Sequence, residues 1–504
     1  MEKNDCDRTT QQLHTLVRQR FHVPSLYPYQ QLVIKHILEA AGLYGSDAAR
    51  GAPRCQLVVL PTGSGKSLCF MLPAMLISGI TIVVYPLLSL MGDQGRRMQQ
   101  LGIPCEFLRG GQSGTEREAI WRRLQDGSSR FVITNPETLV QESVLDTLAR
   151  LPVSLFVIDE VHTVTQWGES FRPSYLELPS VMKRLAPTQV VAFTATASGR
   201  ITGRIISILF SGEVPHIVRA DPDRPNIRYR SVCTLHPLHD IQMLLTYTVN
   251  RPALLFCATR KRCEDMAWEL YKRTGDPDIR YYHAGLERKE RRRTEQWFHG
   301  HERAILFSTS AYGMGVDKGD IRTVIHLDIP SDIESYLQET GRAGRDGMSA
   351  DAVALVTHSD RTRAMLLRND HPLRLLTGAL VQQTRCRREA LLELLGYPKE
   401  SCNGCDVCEG TASDTADGED QIIAMITRYP LRFTARQAAA VLCGTKEGRI
   451  ETERCNPWSA VLGTWDAEDL QRAIGTLVET GSLRRCNLPL VRGKLWGKRW
   501  KALP

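Results

Sequence analysis

The 504-residue chain contains no run of about 18 or more apolar residues, and it opens Met1-Glu2-Lys3-Asn4-Asp5 without a basic stretch leading into an apolar one. Spanning of a membrane and secretion are therefore not expected, and a cytoplasmic or nucleoid-associated enzyme is. No self-similarity at a solenoid period is present, which argues against a repeat protein. Acidic residues are wholly missing from Leu483 to Pro504, where Arg484, Arg485, Arg492, Lys494, Lys498, Arg499 and Lys501 are joined by Trp496 and Trp500. A solvated terminus could have this composition. Aromatic rings interleaved with positive charge are also what a nucleic-acid surface requires.

What is present begins with length. A chain this long exceeds one hydrophobic core and should divide into about three or four domains. Short apolar runs at Gln56–Leu60, Thr81–Val84, Phe131–Thr134, Leu155–Ile158 and Val190–Phe193 each lead into a helix-like pattern, which predicts a parallel sheet covered by helices. The rhythm restarts after a Pro-containing stretch at Asp221–Asn226, with Ala253–Cys257, Ile279–Tyr282, Ala304–Ser308 and Thr323–Leu327 as strands. The expected fold class is α/β, with two tandem RecA-like parallel-sheet lobes at 1–209 and 210–358. A small helical module at 359–412, a polar linker at 413–419 and a helical segment with a basic hairpin at 420–504 complete the division.

Leu60-Pro61-Thr62-Gly63-Ser64-Gly65-Lys66-Ser67 follows a strand and opens a helix. Glycine amides and a helix N-terminus can cradle a polyphosphate, so Thr62, Gly63, Ser64 and Gly65 are candidate phosphate contacts. Lys66 would meet the β- and γ-phosphates, and Ser67 would ligate Mg²⁺. A chance Gly-rich turn is the bland alternative, disfavoured by the strand–turn–helix setting. Val157-Ile158-Asp159-Glu160-Val161-His162 delivers two carboxylates to a strand end, Asp159 for Mg²⁺ and Glu160 to orient and deprotonate water. Arg342 and Arg345, in Gln338-Glu339-Thr340-Gly341-Arg342-Ala343-Gly344-Arg345, offer charge for the γ-phosphate from the other lobe, which would link hydrolysis to lobe closure.

Fourteen cysteines in a chain without a secretory start favour metal ligation over disulfides. Cys386, Cys402, Cys405 and Cys408 have the spacing C-x15-C-x2-C-x2-C, suited to a closed tetrahedral Zn²⁺ site of structural type.

Taken together, these motifs resemble the RecQ family of superfamily 2 DNA helicases, with ordered matches from about Phe21 to Cys408. Pro28-Tyr29-Gln30 resembles the adenine-reading motif, with Gln30 on the base edge. Pro86-Leu87-Leu88-Ser89-Leu90-Met91 resembles the strand-binding motif, which makes Ser89 a DNA contact. Thr194-Ala195-Thr196 resembles the segment coupling ATP to DNA, and the resemblance gives Thr194, Thr196, His162, Gln166 and Gln338 coupling roles. Gly313-Met314-Gly315-Val316-Asp317 resembles a second-lobe motif and puts Asp317 at the nucleotide. Gln166-Trp167-Gly168-Glu169-Ser170-Phe171-Arg172-Pro173 is similar to the aromatic-rich loop of RecQ enzymes. There Trp167 and Phe171 would stack on bases while Arg172 meets a phosphate.

The family pattern departs at Tyr27, where arginine is usual, at Tyr85 for serine, at Asn135 for threonine and at Val161 for alanine. Arg432–Gln437 and Val441–Gly444 resemble the start of a winged helix, with Arg484, Arg485, Arg492 and Lys494 as DNA contacts on its wing. The segment 445–464 is unlike the family. The resemblance implies a zinc-containing, ATP- and Mg²⁺-dependent DNA helicase of 3′→5′ polarity in DNA recombination or repair, an ATP hydrolase that isomerises duplex to single strands. Nothing in the sequence suggests an obligate dimer, so a monomer is expected, with single-stranded DNA-binding protein as a candidate partner. An RNA motor, a scaffold with a vestigial ATPase and a translocase without strand separation stay open at this point.

Overall fold

The computed structural model describes residues 13, 15–43, 54–61, 63–164, 173–313, 318–398, 401–445, 456–486 and 492–497. They fall into two compact units, one comprising Met1–Asp223 with Leu395–Tyr397, the other Arg224–Leu394 with Pro398–Pro504. Among the described residues no helix is long and apolar enough to cross a membrane.

Among the described residues the first unit is built on seven strands: β1 (Cys55–Val59), β2 (Ile80–Val84), β3 (Cys105–Leu108), β4 (Phe131–Thr134), β5 (Val153–Ile158), β6 (Gln189–Thr194) and β7 (His216–Arg219). Their order is β3-β4-β2-β5-β6-β1-β7, with every pairing parallel. Parallel strands need crossovers, and the helices that supply them cover both faces. Alternate residues of β1 and of the position after it accordingly enter two different cores, Leu57 and Val59 one, Val58 and Leu60 the other. The boundary expected at 209/210 is displaced, because β7 lies beyond it yet is hydrogen-bonded along β1.

The second unit repeats the plan with β8 (Ile227–Thr234), β9 (Ala253–Phe256), β10 (Ile279–Tyr282), β11 (Ile305–Ser308), β12 (Thr323–His326) and β13 (Ala350–Thr357), in the order β10-β11-β9-β12-β13-β8 and again parallel throughout. β8 is an edge strand, and the cysteine module covers that edge. Tyr229 bridges to Cys405, and the Asp406 amide donates to the Tyr229 carbonyl at 3.1 Å. An exposed edge would be a template for unwanted strand pairing.

Helices Glu419–Arg428, Ala435–Cys443 and Ala467–Glu479 and the antiparallel pair β14 (Leu483–Arg485) with β15 (Leu495–Gly497) share one apolar core. Cys233 and Leu235, at and just after the end of β8, belong to the same core. The stretch expected as a polar linker is packed rather than free. Ala416 is buried, and Asp417 accepts from the Trp465 indole at 2.9 Å. Trp465 in turn stacks on His239, ring centroids 3.7 Å apart. The buried Asp469 accepts from Arg273 at 2.6 Å, a second tie within this unit.

One ion pair stands out for its depth. Arg387 donates to Asp406 at 2.6 and 2.9 Å with side chains only 2 % and 4 % exposed, and a further N–H reaches the Ala379 carbonyl at 3.2 Å. Asp406 also accepts from the Ser231 and Val407 amides, so both charges are fully engaged. Removing one member of such a pair strands the other in a low-dielectric site, at about 3–5 kcal/mol. Arg387→Ala is expected to lower the unfolding free energy of the second unit, obtained from urea titration, by that order, whereas Arg368→Ala, whose pairing with Asp370 is exposed, leaves it unchanged. Equal effects of the two substitutions in denaturant titrations would contradict this account.

Candidate nucleotide site and cysteine centre

The first site is assembled at the carboxyl ends of β1, β5 and β6. After β1 the chain turns through Gly63 and Gly65, both with φ in the left-handed region at 84° and 78°, and starts the helix Lys66–Ala74. Only glycine adopts these angles freely. At Gly63 a Cβ would meet open space, while at Gly65 it would lie 2.6 Å from the Gln30 amide nitrogen. The N-cap is Gly65, and among the described residues no side chain caps this helix, so its first amides face the loop, as an anion-binding terminus requires. Ser67, in that first turn, is buried.

Gln30 is held from two sides. Its amide nitrogen donates to the Ser64 carbonyl at 2.8 Å, and its oxygen accepts from the Tyr27 amide at 2.9 Å. Tyr27 stacks on Tyr29, whose hydroxyl reaches the same Ser64 carbonyl at 3.4 Å. Beside the loop lies a cavity of about 330 Å³ walled by Phe21, Val23, Tyr27, Gln30, Leu68 and Arg97. Phe21, Val23 and Arg97 carry no motif that marks them as site residues in the sequence.

At the end of β5, Asp159 is buried, and that burial together with the neighbouring Glu160 carboxylate pushes its pKa up to about 7. A divalent cation would offset this penalty. Glu160 adopts φ +50°, unusual for a residue with a side chain, and its amide donates to Asp159 Oδ1 at 2.9 Å. Lys66 Nζ lies 3.4 Å from Glu160 Oε1, joining the β1 loop to the β5 loop. Tyr85 is buried nearby, its hydroxyl raised first by burial and then by the Asp159 charge.

A polar chain leads on from Glu160. His162 Nδ1 is 3.4 Å from Glu160 Oε2 and 3.1 Å from Thr194 Oγ1, and Thr194 Oγ1 donates to the Thr196 carbonyl at 3.0 Å. The Thr194 hydroxyl thus stands between the His162 imidazole and the Thr196 carbonyl, and the direction of its bond to His162 follows the imidazole tautomer. His162, Thr194 and Thr196 are thereby brought together with Glu160. Thr62, Gln166, Trp167, Phe171, Arg172, Asp317 and the Ser89 side chain lie outside the described residues; the Ser89 backbone belongs to the helix Leu88–Gln100.

In the second unit, Gln338 sits on the helix Ile333–Thr340, and the turn after it carries the buried Arg342 and the half-buried Arg345. Sequence reading missed what holds this turn. Arg224 donates to the Gly341, Ala343 and Gly344 carbonyls at 3.1, 3.3 and 2.8 Å, and Asn226 donates to the Gly344 and Met348 carbonyls, both at 2.8 Å.

The four predicted cysteine ligands also converge. Their sulfur atoms all lie within 4.8 Å of one another, and Cys386 and Cys405 are 3.9 Å apart. Tetrahedral zinc with Zn–S bonds of about 2.3 Å places sulfurs about 3.8 Å apart, so the residues fit this metal. Cys386 also caps the helix Arg387–Glu393, its sulfur accepting from the Glu389 amide at 3.5 Å.

Of the proposed wing cations, Arg484, Arg485 and Arg492 are exposed. Lys494 is turned inward, donating to the Arg432 carbonyl at 2.6 Å and to Gln437 at 2.8 Å.

Two family models match the chain, DEAD/DEAH box helicase over residues 27–203 and Helicase conserved C-terminal domain over 237–347. The protein is 32% identical to the ATP-dependent DNA helicase RecQ of Pasteurella multocida over 78% of this chain and 64% of that one. It is also 32% identical to the ATP-dependent DNA helicase RecQ of Haemophilus influenzae over 88% of this chain and 72% of the relative. Among solved structures, DEAD-box helicase Mss116 bound to ssRNA and UDP-BeF aligns with a TM-score of 0.56 at 18% identity over 74% of this chain and 77% of that one. DUF1998 helicase MrfA bound to DNA aligns at 0.56 and 16% identity over 97% and 62%. These two likenesses show the helicase fold of paired lobes. The extent of the match to the bacterial relatives, across both lobes and the cysteine module, makes this chain a member of the RecQ family of helicases.

Proposed function

We propose that the chain is an ATP-dependent DNA helicase of RecQ type, moving 3′→5′ on one strand and separating the duplex as it goes. The observation that carries this reading is the linked set Lys66, Glu160, His162 and Thr194, which joins three strand-end loops around a glycine-rich cradle. Phosphates would be held by the amides of 62–67 and by Lys66, with the adenine between Gln30 and the wall formed by Phe21 and Val23. Ser67 and Asp159 would hold Mg²⁺, which when bound supplies positive charge to the phosphate oxygens.

A consequence of the 3.4 Å contact between Lys66 and Glu160 is that each occupies the other before substrate arrives. Phosphate drawing Lys66 away frees Glu160 to orient the attacking water and accept its proton. Arg342 and Arg345 are proposed to meet the γ-phosphate charge, with Gln338 and Asp317 as further nucleotide-facing positions. The polar path through His162 to Thr194 and Thr196 would report the state of Glu160 to the DNA-binding loops, among them Gln166, Trp167, Phe171 and Arg172. Ser89, Arg484, Arg485 and Arg492 complete the proposed DNA contacts, and the C-terminal domain acts as a winged helix. Lys494 would support the wing from inside, since two of its three N–H groups already have acceptors. The proposal includes a monomeric enzyme in the nucleoid, serving DNA recombination or repair, with single-stranded DNA-binding protein as a partner.

Three assays check these assignments. With matched tailed duplexes and ATP, only the 3′-tailed substrate should open, and Glu160→Gln should slow that opening by at least about 100-fold while retaining nucleotide binding. DNA-stimulated hydrolysis with neither duplex opened would instead identify a translocase. Cys405→Ala is expected to lower bound zinc, released on thiol modification and read with a chelating dye, from about one per chain to near none; zinc content unchanged by substitution of any of the four cysteines would rule out the metal centre.

A further inference from the structure

Arg388 is fully buried, yet it lies one position from Arg387, which already serves Asp406, and it ligates nothing in the cysteine cluster. Its guanidinium donates to the Arg224 carbonyl at 3.1 Å and to the Ile227 carbonyl, and it sits 5.1 Å from the Tyr229 ring centroid. These contacts fix the backbone entering β8. From that fixed backbone the Arg224 side chain reaches across more than one hundred residues of sequence to three carbonyls of one turn, Gly341, Ala343 and Gly344. Asn226, two residues on, takes the Gly344 and Met348 carbonyls. The turn so gripped carries Arg342 and Arg345.

The grip is specific in shape. Gly344 has φ +54°, and a Cβ there would fall 2.5 Å from both the Asn226 amide nitrogen and the Met348 carbonyl, so the turn closes directly on its clamp. A planar guanidinium can span several carbonyls at fixed angles; an ammonium on a flexible stem cannot. Arg224 is also near enough to Arg345 for the two positive charges to oppose each other, after burial the next influence lowering its pKa. Like charges held together by backbone carbonyls form a site that an arriving anion relieves.

We infer that Arg388 and Arg224, with Asn226, are positioning residues that set the Arg342–Arg345 turn for ATP hydrolysis from the base of the cysteine module. This rests on the reading of Arg342 and Arg345 as the groups that meet the γ-phosphate. The module thereby has a part in the chemistry beyond its own folding: the helix capped by Cys386 carries the arginine that anchors the anchor.

The test is steady-state ATP hydrolysis by the full chain with saturating single-stranded DNA, together with binding of a fluorescent ATP analogue and thermal unfolding. Arg224→Lys keeps the charge but loses the fork, and should lower kcat by about 10- to 100-fold with KM and analogue affinity within about twofold of the unsubstituted chain. Asn226→Ala, a milder change that keeps the core intact, should lower kcat in the same pattern by a smaller factor. Arg388→Met should do likewise, and adding it to Arg224→Lys should cost little more than Arg224→Lys alone.

Multiplying losses in that double variant would overturn the relay, as would kcat unchanged in Arg224→Lys and Asn226→Ala. A fall in analogue affinity and unfolding temperature that accounts for the lost rate would make the three residues structural and overturn it too. Arg345→Ala and Arg342→Ala separate the two levels: if both hydrolyse ATP normally, the reading of the turn fails; if either is inactive while Arg224→Lys is normal, only the positioning role fails.

Discussion

Parallel pairing of β1 with β6, and of β5 with β6 and β2, forces the loops that follow these strands to leave the sheet at one end, the carboxyl end of the strands. Residues 94 positions apart in sequence, Lys66 and Glu160, therefore meet, and Thr194 joins them through His162. An antiparallel sheet would have sent the loops after neighbouring strands to opposite ends. Ligands of open α/β sheets bind at the carboxyl ends of strands for this reason. The same constraint in the second unit carries the chain from β12 through the helix Ile333–Thr340 to the arginine-bearing turn.

Where sequence was legible, local chemistry and long-range pattern agreed. Gly63, Gly65 and Lys66 needed one conformation, and the structure has it. The apolar runs became β1, β2, β4, β5 and β6, then β9 to β12, within a residue or two. Four strands escaped for two reasons. β3 and β7 are the edges of the first sheet, and only some of their residues are buried, so neither presents a continuous apolar run. β8 is likewise an edge, with alternating burial, while β13, ADAVALVT, is apolar but rich in residues equally at home in a helix.

The clamp residues were illegible for a different reason. Nothing in Arg224, Asn226 or Arg388 as residue types announces carbonyls more than a hundred positions away. The same holds for Asp417, which reads as linker, and for Trp465, just past the divergent segment 445–464, which pack with His239. Buried arginine is uncommon because its charge must be satisfied completely. That Arg387 and Arg388 are adjacent, both buried, and directed at different acceptors shows how much of the second unit is organised around the start of the cysteine module. A metal held by the four cysteines would stabilise a segment too small for its own core and, through these arginines, the strand beside it.

The proposed function turns on the coupling of ATP hydrolysis at this site to DNA. It is tested most directly by measuring the ATPase rate of the full chain with single-stranded DNA and with RNA of the same length and base order, at one fixed salt concentration. DNA should raise the rate about tenfold or more over the unliganded chain, and RNA should raise it little. Equal stimulation by RNA would contradict the proposed function and make this an RNA-tolerant motor, and no stimulation by either would contradict the coupling of Glu160 to the strand.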